Sequence, residues 1–525
     1  MLITEILKRN AAMYTDETAL VERAPAIGLR REISWREFDE QADRTAQALM
    51  GLGIKKGDKV VHLMVNCIEW LPVYFGILRT GAVAVPLNFR FRAESIRYCI
   101  ETAGAKALVL GEEFIERISE IKPDIDGLVS DYIFVGPQEK KPDYALGYET
   151  FISSHSPVPP EVEISILDDA ALYFTSGTTG RPKAALLTHR NLEFACFLEN
   201  SHHRQTHEDN FLCIPPLYHT GAKMHWFGNF VVGAKAVILK GIEPRWIIEA
   251  VSEEKVTLVW LLVPWALDIL FAIECGDIKL QKYDLDQWRL MHIGAQPVPV
   301  SLIREWKKVF PHHEYDTNYG LTECTGPGCV HLGVENEHKV GAIGRPGFDW
   351  ECRIADDDMT PVAKGSPGEL LIKGPGVMKE YYGNPEATAD TIVDGWLRTG
   401  DIARQDEEGF IWLVDRKKDV IITGGENIYP VEIEDFIQGH PMIQDVAVIG
   451  LPSTRLGEIT AAVIKVKPGM ELTAAEVNEF CETLPRYKRP RKVIFGEVPR
   501  NPTGKIEKPV LRKQYGGSSA SFKVE

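Results

Sequence analysis

The sequence predicts an α/β protein with two successive αβ subdomains that contain mainly parallel sheets, then a β-barrel-like subdomain and a small C-terminal α+β unit. Apolar strand segments alternate with amphipathic helix segments up to about residue 339, and this alternation is typical of parallel sheets covered on both faces. Between Gly341 and Asp401 the pattern changes to short strands separated by Gly/Pro turns, which is typical of compact β structure. A second, shorter αβ pattern follows Asp415.

The first αβ run begins with a clear helix signal. Ser34 and Glu37 have the spacing of a capping box, and the apolar residues that follow recur at the spacing of one helix face. The pattern then predicts a strand at 60–65, a helix at 69–80, and strands at 82–87 and 107–110. Residues 142–163, which include four prolines, are predicted to connect this run to the second one.

Composition and charge narrow the function classes. A chain of 525 residues predicts two to four domains, on a prior of roughly 150 residues per domain. Its net charge of −16 argues against nucleic acid binding, which depends on neutralising phosphates. The net charge does not exclude binding of a small anionic ligand, because such a ligand responds to the local field of a cleft.

Three features of the sequence predict a cytoplasmic protein without an integral membrane segment. The nine cysteines have no CxxC spacing and an odd count, which favours reduced thiols. The N-terminus lacks the pattern of a signal peptide. The apolar run 256–273 is interrupted by Pro264 and Asp268, so a buried strand followed by a helix is predicted there.

The most informative stretch spans residues 170–183. Its apolar first half, ending at Phe174, predicts a buried strand that leads into the loop TSGTTGRPK. Glycines let backbone N–H groups approach an anion, hydroxyls add donors, and Lys183 adds a positive charge. The spacing is not that of a P-loop, which disfavours a P-loop kinase or GTPase. By residue chemistry alone, a phosphate-binding loop and an ordinary polar turn both remain open.

This loop resembles the signature of the adenylate-forming superfamily, which includes acyl-CoA synthetases, aryl-CoA ligases, luciferases and adenylation domains. Ala184, where the family usually has Gly, is a mild departure. Other matching blocks occur in family order over nearly the whole chain: PPLYHTG (215–221), HIGAQPV (292–298), DTNYGLTE (316–323), RTGD (398–401), DRKKDVIITGGENIYP (415–430) and PRNPTGKIE (499–507). The resemblance implies an AMP-binding domain at 1–416 and a mobile C-terminal domain at 417–525.

The resemblance also implies an ATP site. The implied phosphate-binding residues are Thr175, Ser176, Gly177, Thr178, Thr179, Gly180 and Lys183. The residues implied around the adenine are Gly294, Ala295, Gln296, Asn318, Tyr319 and Gly320, with Tyr319 stacked on the base. Thr322 would donate to the α-phosphate, and Asp401 and Arg416 would bind the ribose. Asn318 replaces a Gly or aliphatic residue of many relatives, so a more polar pocket floor is expected.

Catalytic roles follow from the same resemblance. Glu323 would bind Mg²⁺, with Thr175 as a further metal ligand, since Mg²⁺ prefers oxygen ligands shared with substrate phosphates. His219 would lie between the acyl pocket and the thiol tunnel. Lys418 would be the hinge between the domains, and Lys505 would bridge the substrate carboxylate and the α-phosphate. Gly424 and Gly425 would contact the pantetheine arm of coenzyme A.

The activity implied is that of an AMP-forming acid–CoA ligase acting on a small-molecule carboxylic acid, ATP and coenzyme A. An apolar set of side chains suggests a bulky pocket for a medium-chain, alicyclic or aromatic acid, although the same set is typical of core: Met224, Trp226, Phe227, Phe230 and Trp265. An enzyme that loads a carrier protein, a luciferase-like oxygenase and a catalytically silent nucleotide sensor remain alternatives. An amino-acid substrate is disfavoured, because the segment around His219 offers no acid for an ammonium group. A homo-oligomer is compatible with the sequence.

Overall fold

The computed structural model describes residues 1–175, 182–294, 298–331, 336–423, 426–500 and 506–516. Part of the predicted site lies outside these described residues: Ser176, Gly177, Thr178, Thr179, Gly180, Ala295, Gln296, Gly424, Gly425 and Lys505.

The strands of the described residues form the sheets that carry the site. They are β1 Thr18–Ala24, β2 Leu29–Ser34, β3 Lys59–Leu63, β4 Val83–Pro86, β5 Ala107–Gly111, β6 Asp131–Val135, β7 Leu146–Gly147, β8 Asp169–Thr175, β9 Lys183–Thr188, β10 Asn210–Cys213, β11 Lys235–Leu239, β12 Leu258–Leu262, β13 Leu290–Gly294, β14 Glu314–Asp316, β15 Asn318–Gly320, β16 Pro327–Val330, β17 Arg345–Pro346, β18 Glu351–Ala355, β19 Gly368–Lys373, β20 Glu380–Tyr381, β21 Ile392–Val393, β22 Trp396–Gln405, β23 Ile411–Arg416, β24 Ile421–Thr423, β25 Glu426–Ile428, β26 Ile443–Ser453, β27 Gly457–Val466 and β28 Lys492–Phe495.

Helices cover the faces of these sheets. The α-helices of the described residues are α1 Ile3–Met13, α2 Trp35–Gly51, α3 Trp70–Arg79, α4 Ala93–Ala103, α5 Ile115–Ile125, α6 Tyr148–Ser153, α7 His189–His203, α8 Thr220–Val231, α9 Pro244–Glu254, α10 Val263–Glu274, α11 Val300–Val309, α12 Pro385–Thr391, α13 Pro430–Gln438, α14 Ala474–Phe480 and α15 Lys508–Gly516.

Two large sheets form the N-terminal part and confirm the predicted mainly parallel architecture. One has eight strands in the order β20-β9-β8-β4-β3-β5-β6-β7, antiparallel only at its β8, β9 and β20 end. The other has seven strands in the order β14-β13-β12-β10-β11-β1-β2, antiparallel only between β1 and β2. Their central strands are buried, as expected for parallel strands with helices on both faces.

Mainly antiparallel strands build the later part of the chain, where the sequence predicts a β-barrel-like subdomain and an α+β unit. Strands β18, β19, β22, β21 and β23 form one sheet, and β25, β24, β27, β26 and β28 form another. Because the first ends at Arg416 and the second begins at Ile421, the change of sheet falls at residues 417–420. The domain limits of 1–416 and 417–525 remain a prediction.

Several predicted elements are confirmed locally. The Ser34 hydroxyl accepts from the Glu37 backbone N–H at 3.2 Å, and the Glu37 carboxylate accepts from the Ser34 N–H at 2.7 Å. The apolar run 256–273 forms β12 followed by α10, as predicted. Within the described residues, no helix has the length and apolarity needed to cross a membrane.

One prediction is corrected in the segment 142–163, which is more than a connector. It contains β7 and α6, and α6 packs on α2 through a hydrogen bond of 2.9 Å between the hydroxyls of Tyr148 and Thr45. Tyr148 and Ile152 are buried. Turn residues surround α6, and this helix has a single apolar face. It is too short to show helical periodicity in the sequence, so the sequence did not predict it.

The apolar side chains of α8 belong to the core. Trp226 and Phe230 have ring centroids 4.8 Å apart, and Phe230 lies 5.2 Å from the ring of Phe75 on α3. Met224, Trp226, Phe227 and Phe230 are at most 1% exposed. A pocket wall borders space wide enough for solvent, so the structure corrects the interpretation of these four residues as an acid pocket.

Replacing Trp226 tests this assignment. Trp226→Ala is expected to destabilise the N-terminal part by about 3–5 kcal/mol, because it leaves a cavity among buried rings. Trp226→Phe keeps an aromatic ring at this position and should therefore lose much less stability. The measurement is the thermal unfolding midpoint of each purified variant. An unchanged midpoint in Trp226→Ala, together with an altered acid preference, would return this residue to the substrate pocket.

Candidate active site

The predicted phosphate loop is held at both ends by a strand pair. Thr175 is the last residue of β8 and Lys183 the first of β9, and the two face each other in the antiparallel register. The Thr175 hydroxyl lies 3.5 Å from the Lys183 carbonyl oxygen, which it approaches as a donor. The mainly apolar strand β8 thus places the Thr175 hydroxyl at its carboxyl end, where the loop begins.

Tyr381 connects Lys183 to Glu323. The Lys183 ammonium lies 4.8 Å from the centroid of the Tyr381 ring, and the Tyr381 hydroxyl donates to Glu323 Oε1 at 2.7 Å. Burial, followed by the Glu323 charge, raises the pKa of Tyr381, so its hydroxyl stays a donor. Strand β20 positions Tyr381 by pairing with β9. The arrangement holds a carboxylate and an ammonium group beside the loop, a combination suited to a polyphosphate and its metal ion.

Glu323 and the Arg398–Asp401 block border one cavity of about 260 Å³. Its lining includes Glu323, Tyr381, Arg398, Thr399 and Gly400. Glu323 lies in a short 3-10 helix, Tyr381 on β20 and residues 398–400 on β22, so segments distant in sequence meet at this cavity. The cavity therefore joins two blocks that the sequence analysis assigned to the same nucleotide.

Tyr319, Asp401 and Arg416 form the second polar group of the site. The Tyr319 hydroxyl donates to Asp401 Oδ2 at 2.5 Å, and the Arg416 Nε lies 3.5 Å from Asp401 Oδ1. The register of β22 and β23 places Asp401 directly opposite Arg416. Burial, followed by the Asp401 charge, raises the pKa of Tyr319. A carboxylate fixed in this way can accept from sugar hydroxyls, as in other nucleotide sites.

Thr220 connects Thr322 to His219, because it contacts Thr322 and directly follows His219 in the chain. The Thr220 hydroxyl donates to the Thr322 hydroxyl at 3.4 Å, at the first residue of α8. His219 immediately precedes this helix, and its ring lies 4.2 Å from that of Tyr218. The structure therefore brings the 215–221 and 316–323 blocks together. Gly294 ends β13 nearby, and Gly320 ends β15.

The segment that contains Lys418 is anchored on both sides. Asp415 Oδ2 accepts from the Val431 N–H at 2.9 Å, and Arg512 on α15 pairs with Asp419 at 2.8 Å. Partial desolvation, followed by repulsion from Arg416, lowers the pKa of Lys418, which is exposed between these contacts. This geometry is compatible with a hinge, and the hinge role stays a prediction.

The sequence analysis missed a group of polar side chains behind Asn318. The Asn318 amide lies 3.4 Å from His225 Nε2, and the His225 ring stacks on Trp260 at 4.2 Å. His225 lies 3.7 Å from Glu199. Histidines are frequent on this part of the sequence, but only the packing of α7 and α8 on the sheet shows that they converge. The polar floor expected from Asn318 thus continues into a polar interior.

Comparison with known proteins identifies the family. Residues 7–382 match the profile of AMP-binding enzymes, and residues 432–505 match their C-terminal domain. The chain is 34% identical to the long-chain-fatty-acid–CoA ligase FadD13 of Mycobacterium tuberculosis, covering 98% of each chain. It is 31% identical to a feruloyl-CoA synthase of Amycolatopsis sp., covering 97% of this chain and 98% of that protein. The anthranilate CoA ligase AuaEII, solved with anthranoyl-AMP, aligns with a TM-score of 0.88 at 25% identity, covering 98% of this chain and 97% of that one.

The chain therefore belongs to the AMP-binding enzymes of the adenylate-forming superfamily. More narrowly, it is an AMP-forming acyl-CoA synthetase, an acid–thiol ligase that uses ATP and coenzyme A.

The hydrogen bond between Tyr319 and Asp401 can be tested separately from the fold. Tyr319→Phe removes a hydroxyl that holds the Asp401 carboxylate, and hydrogen bonds to charged groups contribute about 1.5–3 kcal/mol. The KM for ATP is expected to rise roughly tenfold or more, with a smaller change for the acid. Steady-state kinetics with each substrate varied in turn would measure both constants.

Tyr315→Phe is the matched control for that experiment. Tyr315 is a buried neighbour on β14 whose hydroxyl has no hydrogen-bond partner among the described residues. Its loss should leave the KM for ATP unchanged. An equal effect of both variants would mean that general packing, and not the Asp401 contact, governs ATP binding.

Proposed function

We propose that this enzyme first converts a carboxylic acid and ATP into an acyl-adenylate and then transfers the acyl group to coenzyme A. In the first half-reaction a carboxylate oxygen bonds to the α-phosphorus, the bond to the bridging oxygen breaks, and pyrophosphate leaves. In the second, the thiol sulfur bonds to the acyl carbon, the thiol proton passes to solvent, and AMP leaves with the electrons of the broken C–O bond.

The observation that carries this proposal is the cavity bordered by Glu323, Tyr381 and the 398–400 segment. Glu323 and Tyr381 line it, Lys183 contacts the Tyr381 ring, and Asp401, held by Tyr319, directly follows the lining residue Gly400. Both reactants of the first half-reaction are anions, so the protein must offset repulsion and fix their orientation. These residues supply the donors and the positive charge for that purpose.

Glu323 fits the Mg²⁺ ion that such chemistry employs. Its carboxylate borders the cavity and is oriented by the Tyr381 hydroxyl at 2.7 Å, and oxygen ligands next to phosphates are those that Mg²⁺ prefers. Thr175, at the end of β8, is the proposed second protein ligand. When bound, Mg²⁺ neutralises phosphate charge. Glu323 and Thr175 would then hold the ion at the start of the loop.

We assign the remaining roles as follows. The loop residues 175–180 and Lys183 bind the phosphates, Gly294 to Gln296 and Tyr319 surround the adenine, and Asp401 with Arg416 binds the ribose. Lys505 bridges the carboxylate and the α-phosphate in the first half-reaction. The small domain then turns about Lys418, a hinge motion between rigid units, which withdraws Lys505 and presents Gly424 and Gly425. The thiol enters past His219.

The proposed substrate remains a medium-chain, alicyclic or aromatic acid. Support comes from relatives whose names include long-chain fatty acids, ferulate and indoleacetate, and no longer from the apolar side chains of α8. A cytoplasmic location and a homo-oligomer stay predictions from the sequence.

A carrier protein in place of coenzyme A is the second candidate acceptor. Relatives whose names describe CoA ligases or CoA synthases favour coenzyme A. A silent nucleotide sensor has no need of Lys505, Glu323 and Asp401 together, which argues against it.

Pyrophosphate release with ATP, Mg²⁺ and a panel of acids, each with and without coenzyme A, tests the proposal. We expect turnover that depends on coenzyme A, with aromatic or medium-chain acids preferred over acetate. Pyrophosphate release that coenzyme A fails to accelerate would favour a carrier protein. Silence across the whole panel would leave only the sensor.

Lys505→Ala separates the two half-reactions. It is expected to reduce adenylate formation by at least about a hundredfold, since a positioned charge at a developing transition state contributes on this scale. Thioester formation from supplied acyl-adenylate should be largely retained. Rapid-quench measurement of each half-reaction gives both rates, and an equal loss in both would contradict the assigned division of roles.

A further inference from the structure

Four polar side chains converge behind the active site in a dry part of the interior. His202 and His203 end α7, His292 lies on β13 and Asp316 ends β14. Their side chains are 1%, 2%, 3% and 2% exposed, respectively. We call these four residues the buried His/Asp cluster. Interiors accept such groups only when they are paired or bind metals.

The sheet register explains why the cluster forms. Adjacent parallel strands place Trp260, His292 and Asp316 opposite one another in a row. Since side chains of directly paired residues point to the same face of a sheet, this row meets the helices that cover that face. The C-terminal end of α7 then adds His202 and His203 from outside the sheet.

Three ligand atoms of the cluster form a triangle of coordination size. His203 Nε2 lies 3.0 Å from Asp316 Oδ2 and 3.0 Å from His292 Nδ1, and His292 Nδ1 lies 3.7 Å from Asp316 Oδ2. A point equidistant from the three atoms is about 1.9 Å from each, close to a Zn–N or Zn–O bond. His202 Nε2 contacts the same Asp316 oxygen and is available as a fourth ligand.

Glu199 orients His203 toward this triangle. A Glu199 carboxylate oxygen lies 2.9 Å from His203 Nδ1, an ion-pair distance that favours a proton on Nδ1. Nε2 then faces Asp316 and His292. A carboxylate that fixes a histidine through its other ring nitrogen is a frequent companion of metal-binding histidines.

The facing nitrogens also need a proton or a cation between them. Two imidazole lone pairs 3.0 Å apart repel each other unless one nitrogen is protonated or both bind a cation. Two buried carboxylates, Glu199 and Asp316, add negative charge at the same place. A proton shared within the network and a divalent cation are the two ways to satisfy this geometry.

We propose that His203, His292 and Asp316, with His202 as the fourth ligand, bind a divalent transition-metal ion, with Zn²⁺ the best match. Imidazole and carboxylate ligands suit this class of ion, whereas Mg²⁺ favours oxygen ligands and bound water. Burial leaves no open position for a reacting water, so the site is structural. It is separate from the proposed Mg²⁺ site at Glu323, and it does not depend on the proposed substrate.

Such an ion would join three elements that lead directly into the active site. It would tie the end of α7 to β13 and β14. Two residues beyond His292, β13 ends at Gly294, and Asn318 and Tyr319 closely follow Asp316. The ion would therefore hold the adenine-side segments in register.

The first test is the metal content of untagged full-length protein purified without chelators. Inductively coupled plasma mass spectrometry should find about one zinc per chain, as for a structural site. Metal-stripped protein should bind one Co²⁺ per chain, with the visible absorption of a tetrahedral site. Excess Mg²⁺ should not displace it.

Substitutions place the ion. His292→Gln and Asp316→Asn should each abolish stoichiometric Co²⁺ binding. Glu199→Gln keeps all four ligands and is expected to weaken binding by about 10- to 100-fold, the usual effect of losing such a supporting group. This variant guards against the possibility that a ligand variant fails to fold. His207→Gln, which changes a histidine paired with Glu17 at the surface, should bind Co²⁺ as the unmodified protein does.

Two outcomes would overturn the proposal. Absence of zinc together with no saturable Co²⁺ binding would make the cluster a proton-sharing network. Binding that survives His292→Gln, Asp316→Asn and Glu199→Gln would place the ion elsewhere. Neither outcome depends on ligase activity, so failure of this proposal is distinct from failure of the proposed function.

Discussion

The burial of parallel strands on both faces is the constraint on which the rest of this structure depends. Strands such as β8 and β12 are mainly apolar, because helices cover both sides of each sheet. Most polar groups of the site enter near the strand ends, where the backbone leaves the sheet, and His292 within β13 is a buried exception. Thr175 ends β8, Gly294 ends β13 and Asp316 ends β14. The polar residues of the site therefore collect along the edges of the two large sheets.

Antiparallel structure supplies the other half of the site. The pairing of β22 with β23 sets Asp401 opposite Arg416, and Tyr319 on β15 fixes the carboxylate through its hydroxyl. The pairing of β20 with β9 brings Tyr381 to Lys183 and Glu323. In the first case a pair of consecutive strands, and in the second a short contact between strands distant in sequence, orients a charged residue that a motif contains. The motifs contain the reactive and binding side chains, and these contacts orient those side chains.

Helix α8 shows how one element can serve both core and site. One face places Trp226 and Phe230 against the rings of α2 and α3, and another turns His225 toward Trp260, His292 and Glu199. Most residues of this helix are apolar. They fill the core and do not border the site. Its single buried histidine faces the polar interior next to Asn318. The polarity of the interior behind the site thus depends on a minority of the residues of α8.

The sequence by itself determined the α/β class, the order of the elements and the motif residues, because periodicity, capping and loop chemistry are local. The helix capped by Ser34 and the strand–helix pair at 258–274 are examples. Only the tertiary structure decided that Trp226 is core, that Tyr381 orients Glu323, and that His202, His203, His292 and Asp316 meet. Helix periodicity shows that a face is apolar but not what it packs against. Convergence of side chains from separate strands depends on sheet order and register, which no local pattern encodes.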